Sequence, residues 1–159
     1  MKKSDFINKV FITSNFKETQ KLGRDFAKVL EKGDVLYLYG DLGSGKTTFV
    51  QGLAEGLGVK QRIISPTFII VRSYKLEVIS FYHIDLYRIN NEKDVRGLGL
   101  EEIIDNPENI VVIEWADKFA KEIKKLSNED TKIVWVKLEY GEKKNERRTR
   151  LCNAGGGQY

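Results

Sequence analysis

Residues 40–49 are GDLGSGKTTF, and they follow directly on the apolar run DVLYLY. Three glycines in six positions, then a lysine and two threonines, suit neither a helix, a strand nor a packed core. Gly40-Asp41-Leu42-Gly43-Ser44-Gly45-Lys46-Thr47 matches GxxxxGK[ST] without a gap. Glycine tolerates the backbone angles that turn successive amide N–H groups inward, which forms a nest for an anion. A helix starting near Lys46 adds unsatisfied N–H donors and the positive end of its dipole. Lys46 can reach β- and γ-phosphate oxygens, and the Thr47 hydroxyl suits a Mg²⁺ ligand. The loop through Thr48 is therefore expected to hold a nucleoside triphosphate. An Asn-Lys-x-Asp guanine reader is missing, and Asn91-Glu92-Lys93-Asp94 has the wrong order, so ATP is the expected nucleotide.

The flanking patterns specify the scaffold. VFITSNF has the character of a first strand, and Asn15 with Glu18 resembles a capping box for a helix carrying Leu22, Phe26, Val29 and Leu30 on one face. DVLYLY has the all-apolar character of a strand at the centre of a parallel sheet. TTFVQGLAEGLG continues the loop as a helix, with Phe49, Leu53 and Leu57 at helical spacing. TFIIVRSYKL and EVISFYHIDLYR form an antiparallel pair, a short helix is expected over Leu100–Asp105, and NIVVIEW is another buried strand. ADKFAKEIKKL is an amphipathic helix and TKIVWVKLEY a last strand. The expected class is α/β: a P-loop NTPase-type three-layer sandwich with a mixed, mainly parallel sheet containing a central antiparallel hairpin.

With 159 residues the chain fits one domain, expected over residues 1–140. Residues 141–159 hold five Lys/Arg and two Glu, a net of +3, and are expected to be a basic, Gly-rich tail. That tail is a solvated end or a direct contact for RNA phosphates. No apolar run approaches the roughly 18 residues of a membrane span. MKKSDFINKV lacks the apolar stretch of a secretory signal, and the single cysteine, Cys152, excludes an internal disulfide, so a cytoplasmic location is expected.

A phosphate loop needs a carboxylate near the metal and a group that orients the attacking water. Asp85 in SFYHIDLYR and Glu114 in NIVVIEWAD both end apolar strands, where side chains of a parallel sheet emerge into a ligand crevice. The alternatives are a solvated strand end for Glu114 and a turn with an Asp85–Arg88 pair. Asp41 is expected to orient the loop backbone, and Asp117 to cap a helix or sit near the nucleotide. Thr67 of SPTF stands where a γ-phosphate sensor could act, or is an ordinary loop residue. His83, the sole histidine, is expected to be packed or hydrogen-bonded; Trp115 could stack on a base or a partner.

GDLGSGKTTFVQGL, SPTF, HIDLYR, LGLEEII and VVIEWAD, in this order and spacing, closely resemble the bacterial TsaE (YjeE) family from about Asn15 to Tyr140. The resemblance implies a small ATPase that helps form N6-threonylcarbamoyladenosine in ANN-reading tRNAs. It implies a TsaB–TsaD heterodimer as partner, with TsaD transferring the threonylcarbamoyl group and ATP hydrolysis resetting the complex. The tRNA would then be met indirectly, through that complex. By the same resemblance Gly40–Thr48 hold the phosphates, Thr67 matches a switch-like threonine, and Asp85 and Glu114 serve hydrolysis as metal-side or water-side acids. Where the family commonly reads Glu-Trp-Pro-Glu this chain has Glu114-Trp115-Ala116-Asp117, which leaves the placement of Asp117 open. The competing expectations are a small metabolite kinase and a non-hydrolysing ATP-dependent assembly module.

Overall fold

Apolar residues alternate along the inner strands and divide between two cores. In the computed structural model, which describes residues 1–65 and 68–153, these cores lie on opposite faces of one sheet. On β2 (Asp34–Tyr39), Leu36 and Leu38 join Phe26 and Phe49 on one face, while Val35 and Tyr37 join Ile84 and Trp135 on the other. The same alternation runs along β5 (Asn109–Glu114) and β6 (Lys132–Tyr140). Two-sided burial explains why the middles of these strands, Val35–Leu38, Ile110–Ile113 and Ile133–Val136, are without charged residues.

The first face is covered by α1 (Phe16–Ala27) and α2 (Lys46–Gly56). The second is covered by α3 (Glu92–Arg96), α4 (Leu100–Ile104) and α5 (Ala120–Lys125), with a 3-10 turn over Ala116–Phe119. Asn15 caps α1 by accepting the Glu18 N–H at 3.0 Å, and the Glu18 carboxylate reaches back to the Ser14 N–H at 2.7 Å. The helix stops at Ala27, so Val29 and Leu30 reach the core from the turn beyond it. α1 and α2 cross at glycines: a Cβ on Gly52 would overlap the Gln20 carbonyl, and one on Gly23 the Phe49 carbonyl. Such close contact leaves α2, and the loop before it, little room to move.

The sheet has seven strands in the order β1-β7-β6-β2-β5-β4-β3, with β1 at Lys9–Thr13, β3 at Val71–Lys75, β4 at Ser80–Asp85 and β7 at Arg147–Asn153. β6, β2, β5 and β4 run parallel; β7, β1 and β3 add antiparallel pairings outside them. The expected hairpin is β3–β4, and it lies at one edge of the sheet rather than at its centre. There β4 joins the parallel core, and β3, short and mostly unburied, closes the edge.

The expected boundary at residue 140 and the solvated tail are corrected by β7, which pairs with both β6 and β1. Thr149 and Leu151 are buried between exposed Arg148 and Arg150, a strand alternation hidden by its arginines. Residues 154–159 lie outside the described residues. Among the described residues no helix is long and apolar enough to cross a membrane.

Candidate functional site

The carboxyl ends of β2, β5 and β4 lie side by side, and each delivers one part of the site. After Tyr39 the chain leaves β2 as the loop 40–45, in which Gly40, Gly43 and Gly45 all have positive φ. A side chain at these angles is strained, which accounts for the glycine spacing. The loop ends at the first turn of α2, whose N–H groups point toward it.

Lys46 folds back over this loop. Its Nζ donates to the carbonyls of Gly40 at 2.6 Å and Asp41 at 2.9 Å, and lies 4.2 Å above the Trp115 ring. Burial pushes the Lys46 ammonium below the ordinary lysine value, while the charges of Glu114, Asp117, Asp85 and Asp41 oppose that shift. Trp115 holds φ 59°, a left-handed conformation uncommon for a bulky residue, and its ring also packs on Tyr87 at 5.0 Å. Strain of this kind gathers at ligand sites, where the surrounding structure imposes it.

The two acids are buried, each 2% exposed, which removes the solvated-end alternative for Glu114. Asp85 and Glu114 are register partners on β4 and β5. Thr47 donates its hydroxyl to Glu114, with Oγ1 3.1 and 3.2 Å from the two carboxylate oxygens. His83, fully buried, contacts Glu114 Oε1 through Nε2 at 2.9 Å. Asp85 accepts from the Ser65 hydroxyl at 2.8 Å and the Tyr87 N–H at 2.9 Å. A cavity of ≈ 350 Å³ opens between Gly45, Lys46, Thr47, Asp85, Glu114 and Trp115.

Lys46, Thr47, Asp85, Glu114 and Trp115, singled out from the sequence, thus come together. Asp41 acts in the loop through its carbonyl, which accepts the Ser44 N–H at 3.0 Å as well as Lys46. Asp117 is exposed on the 3-10 turn, near enough to act on the charge of Lys46. The Arg88 guanidinium lies over the Phe68 ring at 4.3 Å. Thr67 lies outside the described residues.

Two further residues reach the site from far along the chain. Tyr140 donates its hydroxyl to the Leu42 carbonyl at 2.6 Å, and Arg147 Nη2 donates to the Gly43 carbonyl at 3.1 Å. They brace the loop from the β6–β7 hairpin, about a hundred residues away in sequence, and no local pattern marks them.

A strand, a glycine loop and a helix, set against buried carboxylates at the carboxyl edge of a parallel sheet, define a P-loop NTPase-type α/β protein. The comparisons narrow that class. The family model described as "Threonylcarbamoyl adenosine biosynthesis protein TsaE" matches residues 13–149, and the chain belongs to this family. The tRNA threonylcarbamoyladenosine biosynthesis protein TsaE of Bacillus subtilis (strain 168) is 43% identical over 104 residues, 65% of this chain. The match spans 64% of that relative, just under two thirds of its length. The protein of the same description from Nostoc sp. (strain PCC 7120) is 41% identical over 117 residues, covering 72% of this chain and 71% of its own. The crystal structure of Bacillus subtilis YdiB superposes with a TM-score of 0.71 at 30% identity, covering 93% of this chain and 86% of that one.

Proposed function

We propose that this chain is a Mg²⁺-dependent ATPase that serves the formation of N6-threonylcarbamoyladenosine in ANN-reading tRNAs by acting on a TsaB–TsaD heterodimer. The observation that carries this reading is the cluster of Thr47, Glu114 and Asp85 beside the Lys46 loop. The curated relatives are named for that biosynthesis.

The donor set fits the metal. Two carboxylates and a hydroxyl are oxygen ligands only, and Mg²⁺ prefers one or two carboxylates together with substrate phosphates and water. When bound, Mg²⁺ neutralises charge on the β- and γ-phosphate oxygens. Thr47, Asp85 and Glu114 are the residues that would hold it or its waters. Loading ATP requires Lys46 to exchange its loop carbonyls for phosphate oxygens, and Thr47 to release Glu114. Glu114 is then free to orient or polarise the attacking water.

A second cavity would suit the base. On the other side of the loop a cavity of ≈ 360 Å³ is lined by Asn15, Phe16, Thr19, Thr48, Asn145 and Arg147. Phe16 is 61% exposed there, a flat surface suited to a purine ring.

Turnover is expected to be slow for the chain alone and faster with TsaB–TsaD, since an arginine supplied in trans raises such rates by roughly 10³–10⁵. The test is a threonylcarbamoylation assay with TsaB, TsaD and tRNA, run with and without this chain and ATP. Product that needs both supports the proposal; product that is indifferent to this chain contradicts it. Phosphate transferred to a small acceptor instead of released would point to a kinase.

A further inference from the structure

We infer that His83 is a positioning residue for Glu114: it keeps this carboxylate aimed at the cavity once Thr47 has turned away. The inference rests on the ATPase reading above and assigns a role inside it.

His83 lies two residues before Asp85 on β4, so both side chains project to the same face of the sheet as Glu114. Its register partner on β5 is Val112, which makes Glu114 the diagonal neighbour. The 2.9 Å contact between Nε2 and Oε1 is the consequence. Opposite a carboxylate oxygen, which is an acceptor, the tautomer that makes this hydrogen bond has Nε2–H as the donor. The other ring nitrogen, Nδ1, has no hydrogen-bond partner among the described residues and is buried. An unpaired buried nitrogen is costly, and an apolar side chain at His83 would avoid that cost. Packing therefore does not explain the histidine, whereas the bond to Glu114 does.

Glu114 has two side-chain donors among the described residues, Thr47 and His83. In the proposed mechanism Thr47 would serve the metal and no longer Glu114, which would leave His83 as the fixed donor. His83 is fully buried and does not line the cavity, so it acts through Glu114 and not on the nucleotide.

The experiment measures Mg·ATP turnover and binding for the full chain and for His83→Leu, His83→Gln, Glu114→Gln and the double variant H83L/E114Q. Gln can place an amide nitrogen near the position of Nε2. Expected for H83L is a fall in kcat of roughly ten- to hundredfold with KM and Mg·ATP affinity nearly unchanged, in a chain that still melts cooperatively. H83Q should recover most of the loss, and H83L should add nothing in the Glu114→Gln background. Unchanged kcat in H83L, a loss shared equally by affinity and melting temperature, or an additive double variant overturns the inference. If H83L does not fold, H83Q alone decides: kcat near wild type supports it, and the full loss overturns it. A wild-type chain without turnover, alone or with TsaB–TsaD, defeats the ATPase reading and this inference with it. Active wild type with indifferent His83 variants defeats this inference alone.

Discussion

Asp85 and Glu114 face each other across neighbouring parallel strands, at the same register position and equally buried. Their local partners differ: Glu114 accepts from Thr47 and His83, and Asp85 from Ser65 and the Tyr87 backbone. That difference separates their tasks in a testable way. Glu114→Gln should retain Mg·ATP binding while turnover falls by roughly 10²–10⁴. Asp85→Asn should instead weaken the Mg²⁺ dependence of nucleotide binding. Phosphate-release kinetics and a Mg²⁺ titration distinguish the two, and the opposite pattern would exchange the roles.

Lys46 gives the site a pH signature. Its folded pKa lies below the ordinary 10.5 because of burial, so between those values the unfolded chain binds more protons than the folded one. The contribution of Lys46 to stability therefore rises with pH through that window. Compared with Lys46→Met, the wild type should gain relative stability as pH is raised toward 10.5. Its affinity for Mg·ATP should fall over the same interval as the ammonium loses its proton. Melting curves and nucleotide titrations at several pH values check both signs.

The crossing of α1 and α2 predicts an intolerant glycine. Gly52→Ala places a methyl group against the backbone of Gln20, which cannot yield as a flexible side chain would. A destabilisation of about 3 kcal/mol is expected from such overpacking. Nucleotide affinity should fall with it, because α2 carries Lys46 and Thr47. Chemical denaturation and a binding titration on the same variant test this.

β7 predicts that the basic segment is structural. Leu151 is fully buried, and Leu151→Ala should cost about 2–5 kcal/mol. Deleting residues from Gly141 onward removes a strand paired on both sides and should abolish cooperative melting. A truncated chain that melts like the full one would contradict the placement of this strand.

Much of this was legible in the chain. The loop declared itself because a polyphosphate nest demands glycine, lysine and threonine at fixed spacing, and Glu114 because an acid ends a run of four apolar residues. The inner strands were legible because burial on both faces leaves unbroken apolar runs such as Ile110–Ile113 in their middles. β7 was not, since Arg148 and Arg150 alternate with Thr149 and Leu151 and charge masks the period. The order of strands depends on crossovers, which local patterns do not encode, so nothing local marks the β3–β4 hairpin as lying at the edge. Tyr140 and Arg147 reach the loop through tertiary structure alone. The pattern of ADKFAKEIKKL predicts one longer helix, but the chain first makes a 3-10 turn after the left-handed Trp115.

Calorimetric titration with ATP, in the presence and absence of Mg²⁺, tests the claim on which everything else depends. Saturable heat that needs Mg²⁺ and vanishes in Lys46→Ala is the expected result. No heat from the wild type, or equal heat from Lys46→Ala, would contradict it.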